Sequence, residues 1–128
     1  MRRLFLAASG LVWSLYGLFC FFEPSFLGEV AGVASTSTTG TIELRAMYGG
    51  LQIALGVLAG AACVRPALQR PALVTLAFLC AGLFTARLLA AVLGAEFSSY
   101  TAGGLLFELL SSVFATRLLV ELPQPATA

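Results

Sequence analysis

Ala46–Val64 is 19 consecutive residues without a charged side chain, and it is one of four long, mostly apolar runs in the chain. A helix needs about 20 mostly apolar residues to cross the hydrocarbon core of a bilayer. Leu4–Phe22 is 19 residues with no charge; Ala72–Leu93 is 22 with Arg87 alone; Ala102–Val120 is 19 with Glu108 and Arg117. Pro24, Pro66, Pro71 and Pro123 fall between or after the runs, where helices stop. The pattern predicts an all-α integral membrane four-helix bundle, up-down-up-down, as a single transmembrane domain over 1–128. Its helices should cover about 4–22, 46–64, 72–93 and 102–120, with a long loop over 23–45.

Composition removes the alternatives. Of 128 residues, 59% are hydrophobic and 10% charged, against about 25% charged in soluble domains. So few polar side chains cannot cover a water-facing surface. The formal charge is +1 and there is no basic run, so nothing points to nucleic acid. The absence of histidine excludes serine–histidine and cysteine–histidine catalytic pairs. It also removes the usual zinc and haem ligand sets, so no metal and no cofactor are expected. Cys20, Cys63 and Cys80 form no CxxC and each lies in an apolar run. They read as small packed side chains.

Arginine placement gives an orientation. Arg2 and Arg3 precede the first run, Arg65 and Arg70 lie between the second and third, and Arg117 ends the fourth. All five belong on the cytoplasmic side with both termini, in a multi-pass protein of the cell inner membrane. Glu23, Glu29, Glu43 and Glu96 lie on the other side, with Arg45 as its one arginine. The first run is too long for a signal-peptide core and lacks a small-x-small cleavage site, so it reads as an uncleaved helix. In the outer loop, "STSTTG" reads as a flexible polar segment and "PSFLGEVAGV" as apolar enough to lie in the interface.

Alternating helix direction turns sequence position into depth. Glu108 is six residues into the fourth run and Arg87 six before the end of the third, both roughly 9 Å below the outer boundary. Tyr16 and Gln52 reach the same level, and Arg45 stands at the rim above it. At 100° per residue, Arg45, Tyr48, Gly49, Gln52 and Gly56 share one face, and Glu43 points to the other side. Ser9, Trp13, Tyr16 and Cys20 form a comparable stripe on the first helix, as do Gly104, Glu108, Ser111 and Ala115 on the fourth. A lone charge at membrane depth costs about 2.5–3.5 kcal/mol, so Arg87 and Glu108 should form a structural ion pair. Intramembrane ionisable groups are also functional candidates by default. The candidate ligand-binding set is therefore Arg45, Tyr48, Gln52, Arg87, Glu108 and Tyr16. "GVLAG", a GxxxG at Gly56–Gly60, fits contact within the bundle or a dimer face. Gly49–Gly50 and Gly103–Gly104, read as first-turn residues, would allow close approach of backbone or ligand.

The motif Glu-x-Arg-Ala-x-Tyr-Gly-Gly-x-Gln at the start of the second helix, with an Arg late in the third and a Glu early in the fourth, resembles a known family. It is a bacterial family of small four-helix integral membrane proteins catalogued as a domain of unknown function. The matching positions are Glu43, Arg45, Ala46, Tyr48, Gly49, Gly50, Gln52, Arg87 and Glu108. The resemblance spans nearly the whole chain and implies the four-helix fold, but no activity. DoxX-like proteins are similar in outline and lack this motif.

Four functions compete. The first is an outer-leaflet polar pocket for an anionic amphipathic ligand or lipid. Helices 2 and 4 should begin at that rim, where free N–H groups favour anions, and Glu108 can neutralise only one arginine. The second is an accessory subunit packed against a larger membrane complex, with a homo-oligomer also open. The third is a small proton-coupled transporter using Glu108, against which the inner half offers only Ser9, Thr75 and Cys80 as polar lining. The fourth, a lipid-directed enzyme, has Glu108 and Tyr48 for acid–base work but no evident nucleophile, and no catalytic residue is assigned.

Overall fold

The apolar runs fold as helices, and both the runs and the linkers carry more helix than hydropathy alone assigns. The structure, a computed structural model, describes residues 1–123. Among these there is no strand. Four helical stretches are long and apolar enough to cross a membrane: Arg2–Phe22, Thr38–Val64, Pro66–Gly94 and Ser99–Val120. The chain divides into two compact units, residues 1–68 and 69–128.

In the first unit, α1 (Arg2–Phe22) is followed by a short α2 (Phe26–Ala31). The part of the linker read as an interfacial apolar segment is thus a folded turn of helix. Leu27 is fully buried, and the Phe26 and Phe19 rings meet edge to face at 4.9 Å between centroids. Gly32 ends α2 with φ 66°, a left-handed conformation that glycine adopts without a Cβ clash.

The second long helix starts at Thr38, not at Ala46. It runs as α3 (Thr38–Leu44), a π-helical turn (Arg45–Gly50) and α4 (Leu51–Val64). The reading of 23–45 as a loop and of "STSTTG" as flexible is corrected by the capping chemistry of those residues. Ser37 is the N-cap, its hydroxyl accepting from Gly40 N–H at 3.0 Å. Ser35 Oγ accepts from Ser37 N–H at 3.3 Å and from Thr41 Oγ1 at 3.0 Å. A string of hydroxyl residues that looks like loop is here a helix start.

The α1–α4 contact is built on glycine, with the helices antiparallel. Gly17 lies opposite Gly49 and Gln52, and Gly10 opposite Gly56 and Gly60. A Cβ on Gly17 would come within 2.8 Å of Gly49 O and of Ile53 N; one on Gly10 would come within 2.9 Å of Gly60 N. Backbones approach this closely only where side chains are missing. The GxxxG at Gly56–Gly60 is thus used within the chain.

In the second unit a 3₁₀ turn (Pro66–Leu68) leads into α5 (Gln69–Gly94), which pairs antiparallel with α6 (Ser99–Val120). Pro71 lies inside α5, correcting its reading as a helix stop. It sits in the first turn, where an absent N–H breaks no helical bond. Ser98 caps α6, accepting from Thr101 N–H at 3.1 Å. Ser112 Oγ donates to Ala77 O at 3.2 Å, and Arg70 Nη2 donates to Pro123 O at 2.8 Å, joining the two helices at mid-length and at one end. Large apolar side chains stay exposed on both units, among them Leu11 at 61%, Val57 at 61% and Phe78 at 77%. Such surfaces suit lipid and not water.

Candidate functional site

The six candidate residues divide between the units. Arg87 and Glu108 belong to the second; Tyr16, Arg45, Tyr48 and Gln52 belong to the first.

In the second unit the expected ion pair is formed. Arg87 Nη2 donates to Glu108 Oε1 at 2.7 Å, and Nε lies 3.1 Å from both carboxylate oxygens. Both oxygens of Glu108 accept from one guanidinium, the geometry that makes charge-assisted bonds strong. The burial is lopsided: the side chain of Glu108 is 4% exposed, that of Arg87 31%. Gly104 makes room for the pair, since a Cβ there would lie 3.0 Å from Arg87 Nε. Arg87 Cζ also lies 6.0 Å from the Tyr100 ring centroid, in the cation–π range. Neither Gly104 nor Gly103 is in the first turn of α6, which begins at Ser99. Ser111 and Ala115 complete the buried stripe expected on this helix.

In the first unit the structure corrects the expected stripe. A π-helical turn closes i→i+5 hydrogen bonds and so breaks the 100° periodicity. Gly49 and Gly56 are buried against α1, and Tyr48 and Gln52 are half-buried, but Arg45 is exposed. Leu44 and Thr41 hold the inward positions one turn up, both half-buried. Arg45 lies over the Phe21 ring, 5.9 Å from its centroid. It makes no ion pair among the described residues, and Glu43 is exposed. Gly49 packs on the same aromatic, a Cβ there falling 2.8 Å from Phe21 Cβ. Gln52 Oε1 is buried without a hydrogen-bond partner.

The α1 face that meets α4 is Gly10, Ser14, Gly17 and Phe21, one residue along from the expected stripe. Of that stripe Ser9, Trp13 and Cys20 are buried and Tyr16 is half-buried on the neighbouring face of α1. Phe21, Gly10 and Gly17 were not among the candidates. Their signal was the matched seven-residue spacing of Gly10–Gly17 and Gly49–Gly56.

The anion site expected from a helix start at Ala46 is not formed there. The start lies about 12 Å further along the axis, and Ser37 already takes one of its N–H groups. An open groove of about 370 Å³ adjoins it, lined by Pro24, Ser25, Ala34, Ser35, Thr41 and Leu44. Its Ser35 and Thr41 hydroxyls are engaged with each other and with Ser37. No group of three or more His, Cys, Asp or Glu side chains that could hold a metal ion occurs among the described residues.

Comparison with known proteins gives a family. The model of a family described as "Domain of unknown function (DUF4345)" matches residues 1–119. No curated protein matches the chain. No solved structure matches it.

Proposed function

The chain belongs to this family of unknown function, and since membership brings no activity with it, we infer a function from Arg45, which has no carboxylate partner among the described residues. The inference is a multi-pass membrane protein that binds the anionic head group of an amphipathic lipid or metabolite at Arg45. The carrying observation is the contrast between the two arginines. Arg87 is neutralised by Glu108 at 2.7 Å. Arg45 is exposed, over Phe21, with no ion pair among the described residues. It immediately precedes the charge-free run Ala46–Val64, at the level where lipid phosphates would lie. Half-buried Tyr48 and Gln52 supply neutral hydrogen-bonding groups below it, and an apolar tail would lie along the exposed Leu and Val side chains.

This reading moves the binding role away from Arg87 and Glu108, which serve as a structural pair. It also weakens proton-coupled transport, because both Glu108 oxygens are already engaged by Arg87. The test is native mass spectrometry of the full chain purified gently from membranes containing phosphatidylglycerol. Wild type should retain the acidic lipid, and Arg45→Gln should lose it while keeping its helical circular dichroism. An Arg45→Gln protein that is equally stable and carries the same lipids would reduce Arg45 to a membrane anchor.

One feature favours a second reading, a subunit of a larger membrane assembly. Gly82, Ala86, Ala90 and Gly94 repeat every four residues along α5 and are all exposed. Small residues at this spacing let membrane helices approach closely. The same purification tests it: a second polypeptide in fixed stoichiometry would support a subunit, and the chain alone would not.

A further inference from the structure

The turn Arg45–Gly50 holds about one residue more than an α-helical turn, because its bonds, Leu51 N–H to Ala46 O among them, reach i→i+5. One residue is about 100° of α-helical rotation. The stretch Thr38–Arg45 is therefore turned about 100° from where an unbroken α-helix running out of α4 would put it. Such an unbroken helix would place Arg45 within about 20° of Gly56, facing α1 across the glycine seam, with Leu44 well outside it. The structure has the reverse. Leu44 and Thr41 are half-buried, while Arg45, Ile42 and Met47 are exposed, the last two at 58% and 55%.

We propose that the π-turn Arg45–Gly50 is a one-residue phase insertion that presents Arg45: it turns the guanidinium out of the seam to its open edge, over Phe21, and gives the inward place to Leu44. This rests on the reading of Arg45 as the head-group contact. A guanidinium drawn into the seam would meet glycine backbones and no carboxylate, and unpaired buried charge is strongly disfavoured. At the edge it keeps an aromatic face on one side and stays open to an anion on the other. The seam is preserved, because Gly49 remains against Phe21 on the α4 side of the arginine. Phe21 and the π-turn act here as positioning elements.

Two experiments on the full chain in membranes test this. The first needs no ligand. With Cys20, Cys63 and Cys80 replaced by Ala, Phe21→Cys is combined with Arg45→Cys or with Ala46→Cys and treated with a short bis-methanethiosulfonate linker. The π-turn directs position 45 toward Phe21, whereas an unbroken α-helix would direct position 46 there. Cross-linking of 21 with 45 should be several-fold faster than of 21 with 46. Equal rates or the opposite order would overturn the proposal. The second experiment deletes Gly50, an exposed residue whose Cβ would meet only Arg45 O of its own turn, at 3.9 Å. Removing the extra residue leaves an unbroken helix with Arg45 in its present direction. Phosphatidylglycerol retention should therefore equal that of wild type, although a residue is lost from the middle of a helix. A folded deletion protein that loses the lipid would also overturn the proposal. If wild type retains no more lipid than Arg45→Gln, the head-group reading fails, and the cross-linking rates alone judge the phase insertion.

Discussion

Glu108 is held by one guanidinium and has no other exit from its buried position, whereas Arg87 has an open side. That asymmetry makes the two single replacements unequal. Arg87→Gln strands a carboxylate whose side chain is 4% exposed; breaking a buried pair in this way costs about 3–5 kcal/mol. Glu108→Gln strands an arginine whose side chain is 31% exposed and which faces Tyr100. Its long stem can swing the charge outward, so the loss should be smaller. The double replacement should recover part of the Arg87→Gln loss, since removing both partners leaves no stranded charge. Thermal unfolding of the four proteins in detergent measures this as a double-mutant cycle, and additive losses would mean that the pair carries no coupling. The pair was legible in the sequence because antiparallel neighbours convert residue counts into depth, and one Arg and one Glu fell at one level. The surroundings of Arg45 were not legible, because a helical face drawn at 100° per residue assumes that no turn is wider than the rest.

Each hairpin is made by a different device. In α5–α6 the Arg87–Glu108 pair and the Ser112 hydroxyl on Ala77 O join the helices through flexible side chains. In α1–α4 backbone meets backbone. A Cβ on Gly56 would run into Ser14 Oγ, lie 2.5 Å from Ser14 N and 2.9 Å from Gly10 O. One on Gly60 would meet nothing within 4 Å. Gly56→Ala should therefore force the helices apart and cost about 1–3 kcal/mol, the usual range for overpacking. Gly60→Ala, the other half of the same GxxxG, should stay within about 0.5 kcal/mol. Thermal melts of the two variants check this, and equal losses would mean that the seam is not where the structure places it. At this scale the four spans were legible from the length of the apolar runs. The outer extension to Thr38 was not, because Ser, Thr and Gly favour loops and helix caps alike, and only the capping hydrogen bonds separate the two. Pro71 misled for a related reason: a proline in a first helical turn and one just beyond a helix differ by a few residues that composition does not mark.

At the scale of the whole molecule the arginines predict which way the chain faces, and each hairpin contributes separately. In the first, Cys63 Sγ lies 3.6 Å from Arg3 O, which sets the beginning of α1 beside the end of α4 and gathers Arg2, Arg3 and Arg65 at one end. In the second, Arg70 bonds Leu122 O and Pro123 O at 3.4 and 2.8 Å, which sets the start of α5 beside the end of α6 and gathers Arg70 and Arg117. Arg65 and Arg70 are five residues apart in sequence, and five residues reach at most about 18 Å. That is well short of the ~30 Å core, so Arg65 and Arg70 are expected on one side of a bilayer. The opposite ends carry Glu23, Glu43 and Glu96, with Arg45 as their one arginine. Arginine-rich ends stay on the cytoplasmic side. Both termini are thus expected inside, and Arg45 outside, where the head-group reading needs it. In a bacterial host, green fluorescent protein fused after Ala128 should fluoresce, and alkaline phosphatase at the same junction should be inactive. Active phosphatase would place the five arginines outside and Arg45 inside. The head-group site would then face the cytoplasmic leaflet, and lipid retention by wild type and Arg45→Gln would have to be compared with acidic lipid confined to that leaflet.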